Sequence, residues 1–129
     1  MNTELKKIKI KSAFTDKRGH IFDIWTEAVH HIGIVTFVKG AVRGRHYHKL
    51  SSQNNYLIKG KLKLVVKSLK VKNSVPQTII IQKGEMVIVP PNWYHAFTAL
   101  APSHLLFSTS GSRKHGSKDY EKDNYRIEI

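Results

Sequence analysis

The chain has 129 residues, of which 40% are hydrophobic, and a formal net charge of +13. This length predicts one domain with one packed core. The absence of cysteine excludes disulfides, thiolate nucleophiles and cysteine metal sites. No apolar run approaches the ~20 residues that a membrane-spanning helix needs, so no membrane association is expected. The positive charge favours an anionic partner such as nucleic acid, an acidic surface or a phosphorylated small molecule.

The first segment, MNTELKKIKIKS (1–12), lacks the apolar centre of a signal peptide, and a cytoplasmic protein is therefore expected. Lysines alternate with apolar residues here and again between residues 59 and 72. This alternation is typical of a strand whose lysine face lies in solvent.

Short runs rich in branched residues follow along the chain. They are KLKLVVKSLKV (61–71), TIII (78–81), MVIV (86–89) and HLLFST (104–109). Glycine and proline turn signals separate them, and no segment of a dozen residues has a helical period, apart from a short stretch at 118–125. The pattern predicts an all-β sandwich or barrel.

Two histidines lie one residue apart in RGRHYHK (43–49). Because side chains alternate along a strand, His46 and His48 share one face and Tyr47 takes the other. In NWYHAFTAL (92–100) the same rule puts His95 on one face with Phe97 and Ala99. If both faces point into the barrel, three imidazoles share its interior. The remaining histidines are interpreted as surface residues: His20, His30, His31, His104 and His115.

The spacing of these histidines resembles the two cupin motifs. The first motif is matched by Gly40, His46, His48, Gln53 and Gly60, with Gln where cupins usually have Glu. The second is matched by Gly84, Pro90, Asn92, His95 and Ala99, with Asn where Gly is usual. The resemblance implies a single cupin domain over residues 1–129, with a jelly-roll-type antiparallel barrel at about 20–110 and a C-terminal tail at 111–129.

Three segments resemble a narrower group, the sugar-nucleotide cupins. VRGRHYHK (42–49), with Gln53 five residues after the second histidine, is similar to dTDP-4-keto-6-deoxyhexose 3,4-ketoisomerases. SKDYEKDNY (117–125) is similar to the end of the same enzymes, and DKRGHIFD (16–23) resembles dTDP-4-dehydrorhamnose 3,5-epimerases. The resemblance implies an isomerase or epimerase that acts on a nucleotide-diphosphate sugar in polysaccharide or deoxysugar biosynthesis and requires no cofactor.

The chemistry of such a reaction assigns roles to the matched residues. Proton transfer beside a ketone needs a base and a donor for the enolate oxygen, and histidine titrates near neutrality. His46 is the expected base and His48 its partner. Arg43 and Arg18 match family arginines and suit diphosphate, while Lys49 and Gln53 are further candidates for substrate binding. Enolate donors could also come from the tyrosines, among which the sequence does not choose: Tyr47, Tyr56, Tyr94 and Tyr120.

Two other functions stay open at this point. Metal-binding cupins have a histidine at the position of His95, so His46, His48, His95 and Gln53 could instead bind a divalent metal in a metal-dependent enzyme. A non-catalytic cupin that binds a sugar is the third hypothesis, and nucleic acid is the less expected ligand. A homodimer is expected, because related barrels pair through an exposed edge strand.

Overall fold

The computed structural model describes residues 5–110 and the backbone of residues 120–122. Within this part every regular element is a β-strand, so it contains no helix with the length and apolar character needed to cross a membrane. The strands are β1 (Lys6–Lys9), β2 (Ser12–Asp16), β3 (Gly19–Phe22), β4 (His31–Phe37), β5 (Val42–His48), β6 (Gln53–Lys59), β7 (Lys61–Ser68), β8 (Gln77–Gln82), β9 (Glu85–Val89), β10 (Trp93–Ala99), β11 (Ser103–Thr109) and β12 (Tyr120–Lys122).

Two five-stranded antiparallel sheets form the barrel. The first sheet has the order β1-β9-β6-β11-β4, and the second has the order β12-β5-β10-β7-β8. Strands β2 and β3 form a separate hairpin. The predicted all-β antiparallel barrel is confirmed. The first sheet also contains β1, which pairs with β9 although it precedes the expected barrel limit at residue 20.

Alternation along the strands builds the core between the sheets. In β7, Leu62 and Leu64 are fully buried, whereas Lys61 and Lys63 point to the outer face. Burial of each such leucine side chain contributes roughly 2 kcal/mol to the free energy of unfolding. The apolar core consists of Phe37, Leu57, Leu62, Leu64, Val66, Ile81, Val87, Val89, Phe97, Ala99 and Leu105.

The segment that joins β3 to β4 lies against the outer face of the first sheet. Residues 24–29 border a cavity of about 400 Å³ whose other walls include Asn54, Met86 and Ile88. Asn54 and Ile88 are cross-strand neighbours, and they alternate with the inward-facing residues of β6 and β9. This cavity is therefore separated from the barrel interior by the sheet.

The helical period at residues 118–125 does not produce a helix where the chain is described. Residues Tyr120–Lys122 form β12, which pairs with the edge strand β5, and the prediction is wrong for these three residues. Residues 118–119 and 123–125 lie outside the described residues. Residues 120–122 form a strand because an edge strand such as β5 offers backbone groups that would otherwise be unpaired. Pairing with these groups outweighs a weak local preference for helix.

A β-bulge interrupts β5 beside β10. His46 lies opposite His95, and Gly44 lies opposite the next residue, Ala96, so that Arg45 is an extra residue with no cross-strand partner on β10. Gly44 and Arg45 both have left-handed backbone conformations, with φ of 98° and 59°. A Cβ on Gly44 would lie 2.9 Å from the backbone oxygen of His95. Glycine is thus required both by its dihedral angle and by the close approach of β10.

This bulge predicts unequal effects for two glycine substitutions. Gly40 also has a left-handed φ, 85°, but a Cβ there would meet nothing within 4 Å. Gly40→Ala should lower the free energy of unfolding by about 1 kcal/mol, from backbone strain alone. Gly44→Ala adds the collision with β10 and should cost about 2–4 kcal/mol. Urea denaturation of both variants measures the difference, and equal losses would contradict the assigned role of the bulge.

Candidate active site

Three histidine rings from two neighbouring strands meet in one cluster. The ring centroid of His46 lies 5.0 Å from that of His48 and 4.7 Å from that of His95, and His48 and His95 lie 5.7 Å apart. One nitrogen from each ring lies within 4.8 Å of the others. The strand alternation that predicted a shared face for His46, His48 and His95 therefore agrees with their positions.

His95 is the buried member of this cluster. Its side chain is 1% exposed, and its Nδ1 lies 3.0 Å from the backbone oxygen of Trp93. Burial lowers the pKa of His95 well below its usual value of 6.5, the charges of His46 and His48 lower it further, and the bond to the Trp93 carbonyl opposes the shift. The ring is consequently neutral around pH 7.

Arg43 reaches the histidine face through the bulge. A regular strand would place residue 43 on the opposite face from residue 46, because the two positions differ by an odd number. The extra residue in β5 reverses this parity, and Arg43 lies opposite Phe97 with its guanidinium 5.7 Å from the ring centroid of Phe37. Phe37 and Phe97 belong to the core. Arg43 is solvent-exposed and lies at the rim of the interior.

Gln53 and Asn55 put polar groups on the inner face of the opposite sheet. Both alternate with outward residues of β6, and they pair with Val89 and Val87, which are core residues. Asn55 is fully buried, and its Nδ2 donates to the backbone oxygens of Val87 at 3.2 Å and Gln53 at 3.3 Å. Asn55 lies outside the residues predicted for the site from the sequence. The sequence does contain a pattern that indicates it: Asn55 lies two residues after Gln53 and two before Leu57, so all three share one face of a strand.

Arg18 is not brought to the histidines. It follows β2 at the turn of the hairpin, its side chain is 84% exposed, and its guanidinium pairs with Asp16 at 2.6 Å. Hydrogen bonds from Arg18 hold the pKa of the Asp16 carboxyl below its ordinary value. Lys49, directly after β5, is solvent-exposed.

Three of the four candidate tyrosines lie on the outer faces of their strands. Tyr47 and Tyr94 immediately neighbour inward-facing histidines, and Tyr56 lies between the inward Asn55 and Leu57. The described strands therefore place none of these three side chains on the histidine face. The side chain of Tyr120 is outside the described part of the structure, so its predicted role stays open.

The histidines interpreted as surface residues are mostly exposed. His20, His30 and His104 lie in solvent, while His31 is half-buried with its ring centroid 5.6 Å from that of Phe107. His115 lies outside the described residues.

Several solved structures share the fold of this barrel. The sugar 3,4-ketoisomerase QdtA from Thermoanaerobacterium thermosaccharolyticum, solved with TDP, is 21% identical with a TM-score of 0.76; the match covers 96% of this chain and 91% of QdtA. A 3,4-ketoisomerase from Helicobacter canadensis is 17% identical with a TM-score of 0.77, covering 95% and 92%. The dTDP-4-dehydrorhamnose 3,5-epimerase from Sulfolobus tokodaii is 20% identical with a TM-score of 0.75, covering 95% and 81%. This chain therefore shares the barrel fold of these three enzymes.

A sequence-family comparison then identifies the family. Residues 14–114 match the family described as polysaccharide biosynthesis C-terminal domain, and the chain belongs to that family. The matched range includes both histidine-bearing strands, β5 and β10. A search of curated protein sequences found no match.

The buried neutral His95 predicts a pH dependence of stability. Because its pKa is lower in the folded state than in the unfolded chain, the unfolded state binds more protons below about pH 6.5. Stability should therefore be fully present above that pH and fall as the pH decreases, by up to about 1.4 kcal/mol per pH unit for one proton.

Chemical denaturation between pH 7 and pH 5 measures this slope. His46 and His48 lie beside the His95 ring and can add to the pH dependence of stability. The contribution of His95 is therefore measured as the difference in slope between a variant and the wild type. His95→Phe should have a smaller pH dependence than the wild type, whereas His104→Phe, at an exposed position, should not. An unchanged slope in His95→Phe would contradict the assignment.

Proposed function

We propose that the protein is an isomerase or epimerase that acts on a nucleotide-linked 4-keto-6-deoxysugar by proton transfer through histidine. The observation that carries this proposal is the contact of His46 and His48 with each other and with buried His95 on the inner face of a sugar-nucleotide cupin barrel. The names of the structural neighbours, ketoisomerases and a 3,5-epimerase, support the same substrate class.

The two histidines of β5 divide the proton chemistry between carbon and oxygen. A proton next to the C4 ketone, at C3, is removed by His46, and the electrons of the C–H bond form the enolate. His48, two residues along the same face, stabilises the developing negative charge on the C4 oxygen. Return of the proton to the opposite face of C3 gives an epimer. Delivery to C4, with movement of the O3 proton to O4, gives the 3-ketone.

Arg43 is proposed to bind the diphosphate. Its guanidinium lies at the rim of the interior, on the same face as His46, and two parallel hydrogen bonds to phosphate oxygens suit its geometry. Lys49 and Gln53 are proposed to contact the substrate from the end of β5 and from the facing sheet. Arg18 would need a rearranged hairpin or a second copy of the chain to take part, because its guanidinium pairs with Asp16 in the isolated chain.

Metal-dependent catalysis is the second candidate, favoured by one specific observation. One nitrogen from each of His46, His48 and His95 lies within 4.8 Å of the others, and three imidazoles are a donor set that fits zinc, iron or nickel. Gln53 would add an amide oxygen, which is a weaker ligand than a carboxylate. A bound cation would supply Lewis-acid stabilisation of an oxyanion.

Replacing the base tests the leading function. His46→Ala should lower turnover of a dTDP- or UDP-linked 4-keto-6-deoxyhexose by about 10²–10⁴-fold and leave the fold intact, because it removes the proton acceptor. Deuterium incorporation from D₂O, followed by NMR, reports the exchange, and His104→Ala is the matched control. Persistent exchange in His46→Ala would refute the assigned base. Loss of wild-type activity in EDTA, with recovery on adding a divalent cation, would support the metal candidate instead.

We also propose that residues 1–129 form one cytoplasmic domain that assembles as a homodimer. Strand β4 is an edge of the first sheet, and its Ile32 and Ile34 are 53% and 63% exposed. The β2–β3 hairpin presents Phe14 and Ile21, each more than half exposed. Apolar side chains on an unpaired edge favour contact with a second copy.

Charge placed on this edge should disrupt the dimer. Ile34→Glu should sediment as a monomer at micromolar concentrations where the wild type is dimeric, because a carboxylate would be desolvated at the interface. Val75→Glu, at a 70% exposed position between β7 and β8, should stay dimeric. A dimeric Ile34→Glu protein would place the interface elsewhere.

A further inference from the structure

In the described part of the chain, one ring nitrogen of buried His95 has a hydrogen-bond partner and the other has none. Its Nδ1 lies 3.0 Å from the backbone oxygen of Trp93, and a carbonyl oxygen can only accept a hydrogen bond. Nδ1 must therefore carry the hydrogen, which leaves Nε2 of the neutral ring as an acceptor. This Nε2 is buried and has no hydrogen-bond partner in the described part of the chain.

An unpaired buried acceptor is unusual and costs stability. Leaving such a group without a partner costs roughly 1–3 kcal/mol, and native proteins satisfy most of their buried polar groups. The ring lies against His46 and His48, in the cluster proposed to carry the chemistry. A ligand bound in that cluster can donate the hydrogen bond that Nε2 lacks.

A second unpaired atom of the same kind lies on the inner face of the facing sheet. The Oε1 of Gln53 is buried and has no partner among the residues described. Both atoms accept and cannot donate, so they select a ligand that brings hydrogen-bond donors into the barrel. Ketone and ionised diphosphate oxygens bring none, whereas the hydroxyl groups of a sugar ring do.

We infer that Nε2 of His95 accepts a hydrogen bond from a ring hydroxyl of the sugar and so fixes the orientation of that ring against His46 and His48. The inference rests on the proposed function and adds a substrate-contacting residue to it. His95 stays neutral, because burial lowers its pKa, and it orients the substrate without taking the proton from carbon.

Two ligands that differ only in the sugar test this inference. Titration calorimetry would compare dTDP with dTDP-glucose, which has ring hydroxyls but no ketone and is not turned over. His95→Phe keeps an aromatic ring and removes the acceptor. It should weaken dTDP-glucose binding about ten- to one-hundred-fold and leave dTDP binding unchanged. His95→Gln, which restores an acceptor oxygen, should recover part of the loss, and His104→Phe should bind both ligands like the wild type.

A series of dTDP-deoxyglucoses completes the test. The analogue that lacks the partner hydroxyl should bind wild-type protein and His95→Phe equally. Retention of full dTDP-glucose affinity by a folded His95→Phe protein would overturn the inference and leave the proposed function standing. No saturable binding of dTDP, dTDP-glucose, UDP or UDP-glucose to the wild type would overturn both. Stoichiometric metal in the wild type that is lost in His95→Phe would also overturn the inference, because the cation would then occupy Nε2.

Discussion

The site depends on one irregularity, the left-handed bulge at Gly44 and Arg45 in β5. The bulge brings the β5 backbone against the carbonyl of His95, and it inverts the side-chain alternation between Arg43 and His46. Arg45 is not a glycine, and its left-handed conformation costs on the order of 1–2 kcal/mol. Pairing with β10 on both sides of the bulge holds β5 in this conformation. A cation and two imidazoles thereby share one face.

The barrel interior is divided into an apolar part and a polar part. Phe97 belongs to the core, yet its ring centroid lies only 6.1 Å from that of His95, two residues earlier on the same strand face. Beyond this boundary the inward positions of β5, β6 and β10 are His46, His48, Gln53, Asn55 and His95. The apolar part gives the sheets their packing energy. The same packing holds the polar side chains rigidly enough for unsatisfied acceptors to persist.

Several elements follow from local patterns alone. The Lys-Leu alternation of β7 and the shared face of His46 and His48 are consequences of a period of two, whereas β8 and β9 follow from their runs of branched residues. Their turns are marked by glycine and proline. The tail could not be predicted in this way, because Tyr120–Lys122 has a weak local preference, and its strand forms only where β5 offers an unpaired edge. The outward direction of Tyr94 likewise follows from alternation, although its burial does not.

The sequence by itself determined the strand periodicity and the shared face of His46 and His48, since both depend on the alternation of neighbouring residues along one strand. Only the tertiary structure decided the rest. Arg43 joined the site because of a bulge that spacing does not reveal, Arg18 stayed on a hairpin away from it, and Asn55 became buried across from the histidines. These outcomes depend on which strands pair and in which register, and such pairing joins residues that are far apart in the chain.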